Sequence, residues 1–125
     1  MYRNSNIIGA ESEALFVATA LGHNWEVAQS IVADIPYDFI VNCHDSRGMR
    51  KIQVKTAWQR PDGAWKLSLR KKQNRYNKYS FDDLAVVCNT KDDFTIFLIP
   101  WHIVEDKHTL VFGDKTTKWA DYQII

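Results

Sequence analysis

The strongest constraint on the fold is a pair of alternating segments set on either side of a turn. Tyr37, Phe39 and Val41 alternate with Asp38, Ile40 and Asn42, and Ile52, Val54 and Thr56 alternate with Gln53, Lys55 and Ala57. Between them lies Asp45-Ser46-Arg47-Gly48, with Asp first and Gly last as a tight turn favours. A period of two on both sides of a turn predicts a β-hairpin. With Asp45 facing Gly48, Asp38 falls opposite Lys55 and Ile40 opposite Gln53. Side chains at even spacing share a face, so Asp38, Gln53 and Lys55 gather on one side of the hairpin, within the residue or two that a bulge would shift them.

The flanking segments complete an α+β pattern. Ile7, Ala10, Ala14, Val17, Ala18 and Leu21 recur at helical spacing, with Asn4, Ser5 or Asn6 as cap and Gly22 where a left-handed C-terminal residue is wanted. That stripe predicts the buried face of an opening helix, flanked on opposite sides by Glu11 and Glu13 at the rim of the core. Of the two, Glu11 reads as a solvated helix residue. Trp25 to Ala28 predicts a short strand. After the hairpin come the turn Pro61-Asp62-Gly63 and a strand through Trp65, Leu67 and Leu69. Leu84 to Cys88 and Phe94 to Ile99 predict a second hairpin ended by Pro100, followed by a short helix at Trp101 to Glu105 and a strand at Thr109 to Phe112. A polar helix or coil from Thr116 closes the chain. Helix, then strands, then smaller helices is an α+β order.

Charge narrows the function classes. Sixteen Lys and Arg against fifteen Asp and Glu in 125 residues leave a net charge of +1, so no global basic field marks a nucleic-acid partner. A local one is present, because Lys66, Arg70, Lys71, Lys72, Arg75 and Lys78 follow one another with no acid between them. Such a run is either a solvated loop or a phosphate-contacting surface, with Arg70, Lys71, Lys72 and Arg75 as the candidate contacts. Tyr76 or Trp65 is placed to stack on a sugar or base, although Trp65 reads more readily as packing. Cys43 and Cys88 are isolated thiols expected to be buried, which suits a reducing compartment. The four histidines have no zinc-site spacing, and no Gly-rich phosphate loop, Ser-centred elbow or dinucleotide fingerprint is present. Ala14 to Leu21 is too short to span a bilayer and no signal peptide follows Met1. The expectation is one cytoplasmic domain over residues 1–125, with no membrane partner.

The constellation that bears chemistry is Glu13 on the helix, Asp38 at the start of one strand, and Gln53-Val54-Lys55 on its neighbour. Phosphodiester hydrolysis needs a cation to offset phosphate charge and help ionise a water. Mg²⁺ prefers oxygen donors, typically one or two carboxylates with waters and phosphate oxygens. Asp38 and Glu13 offer carboxylates, Gln53 an amide oxygen and Val54 a backbone carbonyl, while Lys55 is placed to orient or deprotonate the attacking water. Taken alone, Asp38 facing Lys55 reads more readily as a cross-strand ion pair. It is Glu13 on the helix, the Gln53-Val54-Lys55 triplet and the later segment Tyr79 to Val87 that turn the reading toward a site.

Three stretches, Gly9-Ala10-Glu11-Ser12-Glu13, Pro36-Tyr37-Asp38 and Ile52-Gln53-Val54-Lys55-Thr56-Ala57, resemble the PD-(D/E)XK nuclease superfamily. The likeness is closest to its small members related to group I intron homing endonucleases and Holliday-junction resolvases. Tyr79 to Val87, and the end of the following strand at Ile99-Pro100, resemble the same branch, so the likeness runs from about residue 7 to residue 100. It implies a restriction-endonuclease-like core, a central mixed β-sheet flanked by helices in the order αβββαβ. It implies a metal-dependent endonuclease acting on DNA with Mg²⁺, or Mn²⁺ in its place. It carries the helical Glu onto Glu13, four residues after Gly9, the strand Asp onto Asp38 and the lysine onto Lys55. Two departures stand out: the proline is one residue further from the Asp than the family name implies, and Gln53 replaces the second acid. Members of this size usually assemble as homodimers or homotetramers. The alternative is a non-catalytic nucleic-acid-binding module that kept the fold and lost the metal. A nuclease toxin acting on RNA is a third reading.

Overall fold

The computed structural model describes residues 4–32, 35–69, 80–90, 92–113 and 118–125. Helix α1 spans Ser5–Gly22. Strands β1 (Glu26–Gln29), β2 (Phe39–Asn42), β3 (Met49–Thr56), β4 (Trp58–Gln59), β5 (Trp65–Ser68), β6 (Asp83–Asn89) and β7 (Phe94–Pro100) follow, then helix α2 (Trp101–Val104), β8 (Thr109–Phe112) and a 3₁₀ turn at Ala120–Tyr122. Five strands form a mixed sheet in the order β1-β2-β3-β6-β7, and β4-β5-β8 form a second, smaller sheet. The β3–β6 pair is parallel and every other pair among the described residues antiparallel. This is the mixed-sheet α+β class that the sequence implies. Between β3 and β6 the described chain carries β4 and β5, and the helix expected in that crossover has no counterpart among the described residues.

Two cores sit on opposite faces of the large sheet. On one, Phe16 and Ala20 of α1 pack against Phe39, Val41, Ile52, Val54, Ala85 and Val87. On the other, Leu84, Val86, Cys88 and Ile99 meet Leu67, Leu110 and Phe112 of the small sheet, together with Trp119. Strand β6 therefore has no solvated face, which is why Leu84 to Cys88 reads as an unbroken apolar run. Both cysteines are buried as expected, and burial pushes the Cys88 thiol up to about 12. No helix is long and apolar enough to cross a membrane among the described residues.

The helix corrects the expected stripe. Ile7, Ala10, Ala14, Ala18 and Leu21 face solvent, and the buried positions are Ser12, Phe16, Thr19 and Ala20. Alanines bury little area, whereas one fully enclosed Phe contributes about 1.5–3 kcal/mol, so Phe16 decides the face. The two hydroxyls on that face are bonded: Ser12 Oγ lies 2.5 Å from Thr56 Oγ1, and Thr19 Oγ1 donates to Leu15 O at 2.9 Å. Asn4 caps the helix by accepting the Ile7 N–H. At the other end Gly22 is the last helical residue, and the left-handed conformation falls on Asn24 instead.

The hairpin turn also corrects the expected pairing. Gly48 N–H reaches Asp45 O, but the ladder closes on Cys43 N–H to Gly48 O, with Gly48 at φ +65°. Ile40 consequently faces Lys51, not Gln53, and Phe39 faces Ile52. The slip is two residues, so parity survives: Gln53 and Lys55 stay on the face opposite Ile52 and Val54.

Candidate active site where strand β2 ends

Strand β2 stops at Phe39, one residue after Asp38. In β3 the odd-numbered peptides address β6, as Lys51 O does by accepting the Asp82 N–H. The even-numbered ones address β2, as Ile52 O does by accepting the Asp38 N–H at 2.8 Å. Val54 therefore turns its N–H and C=O toward the gap that opens where β2 ends. Asp38 fills it. Its Oδ2 accepts the Val54 N–H at 2.8 Å, so a carboxylate takes the place of the strand's missing acceptor. The sequence places Asp38 opposite Lys55; in the fold it sits beside Val54, at the edge of β3.

The helix brings the second carboxylate. The Ser12–Thr56 bond pins α1 over the end of β3, and the next residue, Glu13, reaches the vicinity of Asp38. Burial, and then the Asp38 charge, raise the Glu13 pKa above its ordinary value. Burial also raises Asp38, against the lowering effects of the Val54 N–H and of Lys55. Two half-buried carboxylates thus sit together at a site that favours added positive charge. Gln53 is buried, and its Nε2 lies 3.3 Å from Val54 O.

Glu13, Asp38, Gln53, Val54 and Lys55 are accordingly brought to one place. Arg70, Lys71, Lys72 and Arg75 lie outside the described residues. Glu11, read as solvated, is half-buried and accepts from Asn89 Nδ2 at 2.9 Å. Sequence reasoning missed Ser12 and Thr56, although each adjoins a named site residue. The signal was a hydroxyl pair flanking Glu13 and Lys55, and only the tertiary contact identifies the partners.

The donor set is all oxygen: two carboxylates, the Val54 carbonyl and the Gln53 amide. That composition fits Mg²⁺, which takes one or two carboxylates and keeps several waters. It does not fit a closed zinc site, and among the described residues no three His, Cys, Asp or Glu side chains gather to hold an ion.

Comparison with known proteins extends the picture beyond the site. A family model described as PD-(D/E)XK endonuclease matches residues 3–119, past the stretch over which the motifs alone carry the likeness. Among solved structures, a bacterial homing endonuclease, I-Ssp6803I, superposes with a TM-score of 0.78 at 18% identity, covering 97% of this chain and 89% of that one. At that identity the match concerns the fold. No curated protein matches the chain.

Proposed function

The chain belongs to the PD-(D/E)XK endonuclease family, and on that premise we propose that it hydrolyses phosphodiester bonds in DNA with Mg²⁺, Mn²⁺ serving in its place. The observation that carries this reading is the carboxylate of Asp38, clamped on the Val54 N–H at the open edge of β3 with Glu13 and Lys55 acting on it. Asp38, Glu13 and the Val54 carbonyl would hold the cation, and Gln53 would complete the set with its amide oxygen. A cation bound there supplies charge to offset the phosphate and lowers the pKa of a water. Lys55 orients the attacking water, and Asp38 keeps its position through the Val54 peptide. Gln53 leaves the set one negative charge short of the family pattern, which makes Glu13 the more necessary ligand.

One site cuts one strand, so double-strand cleavage by a chain of this size calls for a homodimer or homotetramer. By analogy with the homing endonuclease that shares the fold, duplex DNA is the first substrate to test, with branched DNA as the alternative. The test is cleavage of plasmid and branched DNA in Mg²⁺, Mn²⁺ or EDTA, parent against Lys55→Ala. Metal-dependent cutting that the variant loses supports the reading. Equal cutting by both overturns the site. Salt-sensitive binding with no cutting of either DNA supports the non-catalytic module instead.

A further inference from the structure

The small sheet has one face in the second core and one in solvent. Trp58 pairs with Lys66, and Lys66 with Val111, so these three share a face with Ser68 and Thr109. That face is the outer one: Trp58 is 52% exposed and Val111 40%. Lys66 Nζ stands 5.7 Å from the Trp58 ring centroid, a cation held over the indole. No residue of β4, β5 or β8 is acidic.

Trp58 also forms one side of a groove of ≈ 410 Å³ that runs to Thr56 and Ile8. That volume lies within the range of roughly 300–1,000 Å³ usual for small-molecule sites. The groove also touches Glu11 and Asn89, whose side chains are bonded to each other. The groove borders the candidate active site, because Thr56 directly follows Lys55. From the Lys55 Cα to that of Trp58 is three peptide steps, at most about 11 Å. A stacked strand rises about 3.4 Å per nucleotide, so Trp58 lies within about three nucleotides of a phosphate held at Lys55.

We propose that Trp58 and Lys66 form a platform on which a base of the substrate strand stacks within about three nucleotides of the scissile phosphate. The indole supplies the stacking surface and Lys66 meets the adjoining phosphate. The Glu11 carboxylate in the groove lining disfavours a phosphate there, which leaves the groove to the base rather than the backbone of a nucleotide. The ligand class is a nucleic-acid strand with a base free to unstack, and this rests on the nuclease reading above. An exposed aromatic beside a cation on an antiparallel face is the arrangement that single-strand binders use.

The test measures binding in EDTA, so that it does not depend on cleavage. The probe is a fluorescein-labelled single-stranded oligodeoxynucleotide, alongside its duplex, titrated with parent, Trp58→Ala, Trp58→Phe and Lys66→Gln proteins. Trp58→Ala should weaken single-strand binding about 5- to 150-fold, the range measured for loss of one base-stacking aromatic. Trp58→Phe keeps a ring and should retain most of the affinity, but lose the quench of indole fluorescence that the parent gives on binding. Lys66→Gln should lower the salt slope by about one phosphate's worth. Parent-like binding by Trp58→Ala overturns the platform, as does a parent that binds neither probe. A change in oligomeric state of Trp58→Ala without DNA also overturns it, and assigns the face to a second copy. Metal-dependent cleavage with parent-like binding by Trp58→Ala removes the platform and leaves the nuclease. A Trp58 quench without metal-dependent cleavage keeps the platform and removes the nuclease.

Discussion

An aspartate from a neighbouring segment caps strand β3 toward each end, and the two ends use the same local device to different effect. Toward its start, Asp82 Oδ2 accepts the Lys51 N–H at 2.8 Å; toward its finish, Asp38 Oδ2 accepts the Val54 N–H at the same distance. Beside Asp82, the buried Asp83 receives a fork from Arg50, Nε to Oδ2 at 2.9 Å and Nη2 to Oδ1 at 2.8 Å. A planar guanidinium matches a carboxylate in this way and leaves little charge uncompensated. Beside Asp38 stands a second carboxylate, Glu13, and burial outweighs what Lys55 and the Val54 N–H provide. The compensated end ties β3 to β6. The under-compensated end has two carboxyls that gain from an added cation, which is the property a hydrolytic site for phosphodiesters needs.

That contrast breaks most sharply if the two ends exchange roles on mutation. Lys55→Ala should lower cleavage at least about 10²- to 10⁴-fold, the contribution of a positioned acid–base group, while its melting curve stays near the parent's. Arg50→Ala should do the reverse. It strands Asp83, and denaturant titration should record a loss of about 3 kcal/mol, at the lower end for a broken buried pair because Arg50 is partly exposed. Cleavage per folded molecule should stay near the parent's. Folded but inactive Arg50→Ala protein would erase the distinction.

A smaller effect probes how the second carboxylate is delivered. Ser12→Ala leaves Thr56 Oγ1 without its partner and should cost about 1 kcal/mol by denaturant titration. It should also slow cleavage, since the bond seats Glu13. Unchanged activity would separate the helix seat from the site. Gln53→Glu sharpens the charge argument. The added acid should lower the melting temperature in EDTA, and Mg²⁺ should raise that temperature by more than it raises the parent's. An equal Mg²⁺ response in both proteins would place the cation elsewhere.

The smallest effect is a pH dependence in EDTA. The Asp38 pKa is raised in the folded chain, mainly by burial, so the folded state holds this proton more tightly than the unfolded state does. Stability is therefore fully present below the unfolded value and is lost as pH rises through the folded one. Asp38→Asn keeps an oxygen for the Val54 N–H and removes that loss. The variant should melt slightly above the parent at neutral pH, and the difference should vanish at pH values where the carboxyl is protonated in both states. An Asp38→Asn variant that melts below the parent at neutral pH would mean that Asp38 is already well compensated.

Much of the candidate site was legible because its residues lie in short, patterned segments. Gln53 and Lys55 share a face by strand parity alone, and the two-residue slip of the hairpin could not disturb it. The four-residue loop from His44 to Arg47 was not legible, because Asp45-Gly48 signals a turn without saying where the ladder closes. The buried face of α1 was misread for a different reason. Six apolar residues at helical spacing outnumber Phe16, yet five of them face solvent. Trp58 carried no signal at all: an exposed aromatic and a buried one look alike until the strand pairing is known.

The order of most elements, their approximate ends and the candidacy of Glu13, Asp38 and Lys55 were readable locally, since periodicity, turn residues and motif spacing depend on near neighbours in the chain. Which face of α1 is buried, which β3 peptide Asp38 caps, and which side of the small sheet meets solvent were decided only in three dimensions. Those outcomes depend on which packing encloses Phe16 and satisfies Ser12, Thr56 and the Val54 N–H together, and the hydrogen-bonded partners alone are up to 44 residues apart in the chain.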